Sequence, residues 1–439
     1  MEKYTSTADL YKLFIDCHQK ITTDTRKLES GAIFFALKGD NFDANEFAQN
    51  AIDAGCAYSV VDKDTISDNK KILLVQDVLI ALQQLAHYHR KQLKIPIIGI
   101  TGSNGKTTNK ELIHAVLSKK FNTYATKGNL NNHIGVPLTL LALNKTHEIG
   151  IVEMGANHQG EINMLCEIAE PDFGLITNIG KAHLEGFGGE EGVKKGKSEM
   201  YKYLVKKNGK IFINGDDPVL LKLSDDLDKI YYGENSSFDI YGKRFSTGEF
   251  VEFKWNLKSK DLSSQPLVKT QMFGQYNFIN LLCACCIGNY FKVNEKDINS
   301  ALESYIPEMN RSQVKKTLTN TIILDAYNAN PSSMNLAIDN FQKQLIDKKI
   351  VILGDMLELG EYSKEEHRKI LLQLQGSSID KVFLVGAHFF ELKDEFSEFH
   401  FFKSIVVLKE YLSACQISQS TILIKGSRGI QLEKIVDFF

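Results

Sequence analysis

No stretch of this 439-residue chain approaches the ~20 consecutive apolar residues that a membrane-spanning helix requires, so no membrane partner is expected. Charge of one sign is missing too. The 52 lysines and arginines meet 54 aspartates and glutamates, a net charge of −2, which leaves no electrostatic footprint for binding nucleic acid. Cysteine is sparse: Cys17, Cys56, Cys166, Cys283, Cys285, Cys286 and Cys415 are odd in number and widely spaced, against a disulfide framework and in keeping with a reducing compartment. Three of them fall in the apolar helical run 281–287, with no second cysteine cluster elsewhere. Buried packing is the better reading there, and a zinc site the alternative. The opening MEKYTSTADL is polar, so no signal peptide is expected and the expected location is the cytoplasm. No internal repeat or low-complexity tract is present. What is present, 43% hydrophobic and 24% charged residues, is ordinary globular composition and excludes wholesale disorder.

At roughly 150 residues per domain, the length points to about three domains. In residues 1–94, apolar strands at 32–37, 57–61 and 72–75 alternate with helical patterns at 45–54 and 77–92, a small α/β unit. Residues 95–310 carry strands at 95–100, 149–154, 173–179 and 210–214, with helices at 106–119, 161–169 and 190–205. Apolar strands separated by amphipathic helices predict a doubly wound parallel sheet, and 230–275 alternates like an added antiparallel β-subdomain. In 311–439 the alternation resumes with strands at 321–324, 349–353, 381–385, 404–408 and 421–424, a second, smaller doubly wound domain. No G-x-G-x-x-G sits at its strand ends, so a dinucleotide site is not supported.

The strongest chemical signal is GITGSNGKTT at 99–108, after an apolar strand and before a helix with Leu112, Ile113, Val116 and Leu117 on one side. Successive glycines let backbone N–H groups turn toward an anion, and the helix N-terminus adds its positive end. Lys106 can reach β- and γ-phosphates, and the Thr107 hydroxyl can ligate Mg²⁺. Gly99 sits one residue too early for the full G-x-x-x-x-G-K-T spacing, and a generic glycine-rich turn is the alternative. Strand, Gly-Lys-Thr-Thr and helix together favour nucleoside triphosphate binding. Glu153 closes the strand at 149–154 and His183 follows the strand at 173–179; ligands of open parallel sheets bind beyond such carboxyl ends. Carboxylate oxygen suits Mg²⁺, whereas imidazole suits it poorly without an anionic co-ligand, so a hydrogen-bonded loop histidine is an equal reading of His183. By composition Lys194, Lys195 and Lys197 read as a solvated helix face.

Taken with further segments, these residues resemble the Mur ligase family over nearly the whole chain. The segments are GSNGKTT (102–108), GNLNNHIGVP (128–137), VEMGAN (152–157), AHLEGF (182–187), KSE (197–199), GQYNFIN (274–280), DAYNANPS (325–332), GDMLELG (354–360) and KGSRG (425–429). The resemblance implies an α/β fold of three domains. A small N-terminal α/β domain (1–94) would bind a UDP-substrate, and a central P-loop doubly wound parallel sheet with a small β-subdomain (95–310) would bind ATP. A C-terminal Rossmann-like doubly wound domain (311–439) would bind the incoming dipeptide and close on ATP. The implied activity is an ATP-dependent, ADP-forming peptide ligase of peptidoglycan biosynthesis. It joins D-alanyl-D-alanine to UDP-N-acetylmuramoyl-tripeptide through an acyl phosphate, with Mg²⁺, as a monomer.

The same resemblance assigns roles. Gly102, Ser103, Asn104, Gly105, Lys106, Thr107 and Thr108 would hold the ATP phosphates, with Asn277 near adenine, Asp325 on ribose and Arg311 reaching the phosphates. Lys197 would carry a carbamate, supplying the anionic partner that His183 lacks, so that Glu153, His183 and carbamylated Lys197 share Mg²⁺ with Thr107. Thr25, Arg26, Lys38, Asn131 and Asn132 would serve the UDP-substrate; Asn328, Asn330, Lys425, Ser427 and Arg428 would serve the dipeptide side. Without the resemblance, Asn277, Asp325 and Arg311 read as a loop cap, a strand-end cap and an exposed cation. Three positions depart from the family pattern: Asn45 where histidine is usual, Lys181 where proline is usual, and Asn310 where glycine is usual. The alternatives are another amide ligase of the superfamily, such as folylpolyglutamate synthase or a different Mur ligase, and a nucleotide-gated binding protein. UDP-like N-terminal segments argue against the folate enzyme, and the lack of Asp-Asn-Pro-Arg argues against the diaminopimelate-adding relative.

Overall fold

Apolar β-branched runs become strands, and the amphipathic stretches between them become helices, in the computed structural model, which describes residues 4–64, 69–245, 248–346 and 348–439. Four short strands, Ile21–Thr22, Ile33–Phe35, Tyr58–Val61 and Ile72–Leu74, pair in parallel in that order. Behind them Ala44, Ala48 and Ala51 pack on Phe34, Cys56 and Val61; small side chains let the helix Ala48–Asp53 lie close to the sheet.

A nine-stranded sheet has the order Val268–Phe273, Phe250–Leu257, Ile240–Arg244, Asp228–Gly233, Lys210–Asn214, Phe173–Ile176, Ile97–Thr101, Ile149–Glu153, Thr123–Ala125. Chain order reverses at Ile97–Thr101, the topological switch point where open α/β sheets hold ligands. The expected β-subdomain is an extension of this sheet: Ile240–Arg244 still pairs in parallel with its inner neighbour, and the last two strands turn antiparallel. A six-stranded sheet follows in the order Gln313–Lys316, Asn320–Asp325, Ser420–Lys425, Lys349–Gly354, Lys381–Val385, His400–Phe402, antiparallel only in the first pair. The strands Thr123–Ala125 and Gln313–Lys316 were not among those expected from the sequence.

One expected strand is a helix. Residues 404–408 read as β-branched and apolar, yet Ile405–Ala414 is helical, with Ser404 as its extended N-cap and the strand displaced to His400–Phe402. Leu408 and Leu412, one turn apart, are buried, while Val406 and Val407 face outward; packing of the i, i+4 pair overrides local β-propensity.

By its contacts the chain divides into two compact units. The first comprises Met1–Gly99, Phe121–Gly155 and Glu161–Phe173; the second comprises Ile100–Lys120, Ala156–Gly160 and Gly174–Phe439. In the first, the nearly buried Arg90 guanidinium donates to the carbonyls of Ala169, Leu93 and Glu170 and to Asp172, each at 2.9 Å. In the second, the apolar helix Phe278–Tyr290 buries Cys283, Cys285 and Cys286, so packing is the correct reading of that cluster. Burial pushes the Cys283 thiol up to about 12. Among the described residues no helix is long and apolar enough to cross a membrane.

Two buried histidines make folding pH-dependent. His89 bonds the Leu143 carbonyl at 2.8 Å through Nε2; His367 accepts the Met356 N–H at 3.0 Å through Nε2 and donates Nδ1–H to the Ser363 carbonyl at 2.7 Å. Desolvation holds both below the ordinary imidazole value of 6.5, and Asp355 beside His367 does not outweigh it. The unfolded chain therefore binds more protons than the native one as pH falls through about 6.5, so stability is full above that value and declines below it. Melting temperature should drop between about pH 7 and 5.5, and His367→Gln should flatten the slope. An unchanged slope in that variant would remove His367 from the account.

Candidate active site

The phosphate-loop residues all lie in the second unit. Lys106–Leu117 is helical, capped by Gly105 in the left-handed region at φ 76°. Gly102 has φ 139°, and a Cβ there would come to 2.0 Å from Thr177 Oγ1, so only glycine fits. The loop is pinned by the end of the next strand. Ser103 N–H donates to the Asn178 carbonyl and Ser103 Oγ to the Gly180 carbonyl, both at 3.0 Å. Asn104 N–H donates to Asn178 Oδ1 at 3.0 Å, and its carbonyl accepts from Thr177 Oγ1 at 2.6 Å and Asn178 Nδ2 at 3.0 Å. Lys106 Nζ lies back over the loop, donating to the carbonyls of Gly102 at 2.7 Å and Ser103 at 3.2 Å. Thr107 is buried and Thr108 half-buried.

Asn277 lies below this loop. Its Nδ2 donates to the Phe273 carbonyl at 2.8 Å, its Oδ1 accepts from Asn280 at 2.9 Å, and Asn280 Oδ1 accepts from Asn109, which also donates to the Gly105 carbonyl. This ladder of asparagines supports the loop from beneath, and the sequence singled out only its first member.

His183, also at positive φ (52°), begins the short helix Leu184–Phe187 and bonds Glu358 through Nδ1, leaving Nε2. That bond holds the Glu358 carboxyl below the usual carboxylate range against the opposing effect of burial. Glu358 lies in GDMLELG, where the resemblance implied no role for it. Lys181 ion-pairs with Glu366 at 2.8 Å and Glu190 at 3.3 Å. Lys197 corrects the solvated-face reading. On the helix Glu190–Lys207 it shares a stripe with Val193, Met200, Tyr201 and Leu204, is 0% exposed, donates to the Ala156 carbonyl at 3.1 Å and lies 5.0 Å from the Phe187 ring centroid. Lys195 on the same helix is exposed and Lys194 pairs with Glu191.

The C-terminal candidates gather at the carboxyl ends of parallel strands. Asp325 Oδ1 accepts the Ser312 N–H at 3.1 Å and Oδ2 the Lys425 ammonium at 2.5 Å. Thus Lys425, expected on the dipeptide side, is the partner of the residue expected on ribose. Arg311 lies 3.7 Å and Arg428 5.4 Å from the Tyr327 ring centroid, two guanidinium groups on one ring, and Arg311 Nε is buried with no hydrogen-bond partner among the described residues. Asn310 has φ 57°; asparagine accepts the left-handed region best after glycine, which accounts for its standing where glycine is usual. Ser427 Oγ accepts the Leu357 N–H at 3.0 Å, and the Asn328 side chain bonds the Ala329 N–H at 2.9 Å. Asn330 caps the helix Pro331–Gln342 and reaches Asn104, a partner with no local signal in its sequence.

In the first unit, Glu153 ends its strand 1% exposed. Its N–H donates to Thr126 Oγ1 at 3.0 Å and its Oε1 accepts from Asn131 Nδ2 at 2.7 Å, while Oε2 is buried with no hydrogen-bond partner among the described residues. An orphaned buried carboxylate oxygen is a position for a cation, and a hard oxygen donor of this kind suits Mg²⁺. Among the described residues no three of His, Cys, Asp and Glu gather into a metal cage, so further ligands would have to come from other groups. Asn132 Oδ1 caps the turn at Gly135 N–H, 2.9 Å away. Thr25 is half-buried; Arg26 forks onto Asp24 at 2.9 Å, holding that carboxyl at about 2; Lys38 pairs with Asp62 at 2.6 Å. Asn45, the departure from histidine, is buried and bridges Asp43 and Asp62.

A pinned glycine-rich loop at the switch point of a doubly wound sheet defines a phosphate-loop protein built to hold a nucleotide. Two family models match the chain: the Mur ligase middle domain over residues 100–288 and the Mur ligase, glutamate ligase domain over 310–428. The chain is 35% identical over 440 residues to the UDP-N-acetylmuramoyl-tripeptide–D-alanyl-D-alanine ligase of Bacillus subtilis (strain 168), covering 95% of this chain and 92% of that one. A crystal structure of MurF from Acinetobacter baumannii matches it with a TM-score of 0.86 at 31% identity, over 95% of this chain and 92% of that one. The MurF ligase of Thermotoga maritima, crystallised in complex with ADP, matches with a TM-score of 0.83 at 27% identity, over 96% and 97%. The chain belongs to the Mur ligase family.

Proposed function

We propose that this protein is an ATP-dependent, ADP-forming ligase that joins D-alanyl-D-alanine to UDP-N-acetylmuramoyl-tripeptide, giving the pentapeptide precursor of peptidoglycan. The carrying observation is likeness along almost the whole chain to enzymes named for that reaction, together with a preformed phosphate loop. Residues 1–94 take the UDP end, 95–310 the ATP, and 311–439 the dipeptide.

In this reading a substrate carboxylate oxygen attacks the γ-phosphorus in line; the new acyl C–O–P linkage forms as the bond to ADP breaks. The dipeptide amine then attacks the acyl carbon, inorganic phosphate leaves, and the amine loses a proton. The protein supplies position and charge rather than a nucleophile. Lys106 gives up its loop carbonyls for the phosphates, and Arg311, held flat by Tyr327, adds a second cation. Asp325, oriented by Ser312 and Lys425, takes the ribose, with Asn277 near the adenine. Thr107, Glu153 through its orphan oxygen, and His183 would hold Mg²⁺, which when bound neutralises charge so that carboxylate and triphosphate can approach. Lys197 completes that set if carbon dioxide adds to its neutral amine with loss of a proton. The carbamate nitrogen keeps one N–H for the Ala156 carbonyl, so the observed contact accommodates the modification.

The acyl phosphate is the testable step. With ATP and UDP-N-acetylmuramoyl-tripeptide but no dipeptide, hydroxylamine should trap a hydroxamate at the peptide carboxyl. ADP release with no hydroxamate formed would contradict the route.

A further inference from the structure

We propose that Asn330 is a positioning residue for the phosphate loop, coupling the C-terminal segment to the bound nucleotide. The proposal rests on the ligase reading above and replaces the dipeptide role that the resemblance gave this residue. The Asn330 side chain is already committed: Oδ1 accepts the Ser333 N–H at 2.9 Å as the helix N-cap, and Nδ2 donates to Asn104 Oδ1 at 2.7 Å. Its own N–H donates to Ser333 Oγ at 3.1 Å, closing a capping box that fixes the side chain's direction.

Asn104 is the loop residue whose backbone N–H and carbonyl are both held by the 177–178 segment, so Asn330 fastens the one part of Asn104 that the strand end does not. A second contact points the same way. Ser332 Oγ accepts the Lys181 N–H at 2.9 Å, and a Cβ on Gly180 would come within 2.8 Å of that oxygen, so the glycine permits the approach. The Gly180 carbonyl in turn accepts from Ser103 Oγ. The start of one helix therefore grips the loop twice: at Asn104 directly and at Ser103 through Gly180. A loop shaped for phosphate is the loop that receives Asn330, so nucleotide binding and docking of this segment favour each other, and by linkage they do so reciprocally.

Asn330→Ser separates this role from a structural one, because serine caps helices as well as asparagine but is too short to reach Asn104. Titration calorimetry with Mg-ADP should show affinity weakened about fivefold, the worth of one neutral hydrogen bond, while the helix capped at residue 330 stays folded. The KM for D-alanyl-D-alanine should stay put while that for ATP rises. Asn104→Ala should weaken ADP to a similar degree, and the double variant no further, since both remove one contact. A raised dipeptide KM with unchanged ADP affinity, or additive losses in the double variant, would overturn the proposal. Absence of ADP binding by the wild-type protein would instead bring down the ligase reading itself.

Discussion

Lys106→Ala is expected to reduce ATP-dependent ligation by roughly 10³-fold or more, the scale on which charge stabilisation of a transferring phosphoryl group operates. Two anions must meet at the γ-phosphorus. At about 4 Å they repel by about 4 kcal/mol even at an effective dielectric near 20, so a fixed cation between them decides the rate. The loop itself should survive the change. Lys106 contributes two donations to loop carbonyls, whereas the loop's shape is held by Thr177, Asn178 and Gly180. Melting temperature within a degree or two of wild type, alongside lost ADP release, is the predicted pattern; retained turnover in the folded variant would dismiss Lys106 from the chemistry.

Glu153→Gln is expected to cost roughly 10³-fold in Mg²⁺-dependent turnover and yet to stabilise the ligand-free protein, which makes it the more discriminating change. The amide oxygen can still accept from Asn131, while the orphan carboxylate oxygen, buried with no donor, is replaced by a neutral group. Removing an uncompensated buried charge favours folding. A structural carboxylate would behave oppositely: the variant would melt lower and keep its activity. Scanning calorimetry of the free protein, with and without Mg-ADP, separates the two, since the variant should melt higher alone and gain less from Mg-ADP than wild type.

Elements whose pattern is local were legible to the residue. The helix Glu161–Ala169 and the strands Lys210–Asn214 and Lys381–Val385 begin and end where apolar periodicity places them. Residues 404–408 failed because a β-branched run reads as strand until Leu408 and Leu412 find their buried face. The phosphate loop was legible because its chemistry is contiguous. By composition Lys197 was not, and only the resemblance singled it out: composition sees a lysine among lysines, while the helical stripe it shares with Val193 and Met200 takes it out of solvent. Asn330 and Asn104 stand 226 positions apart, and Asp325 and Lys425 stand 100 apart, so no spacing rule could pair them. Glu358 lies in the segment 354–360 and Asn178 in the strand expected at 173–179, yet their roles as partners of His183 and of the loop depend on contacts that sequence does not encode locally.

Coupled ADP release decides whether phosphoryl transfer from ATP activates one specific carboxyl for one specific amine. Wild-type protein with ATP, Mg²⁺ and UDP-N-acetylmuramoyl-tripeptide should release ADP continuously only when D-alanyl-D-alanine is added, with L-alanyl-L-alanine inert and the pentapeptide product accumulating mole for mole. Continuous ADP release without the tripeptide, or equal rates with both dipeptides, would contradict it.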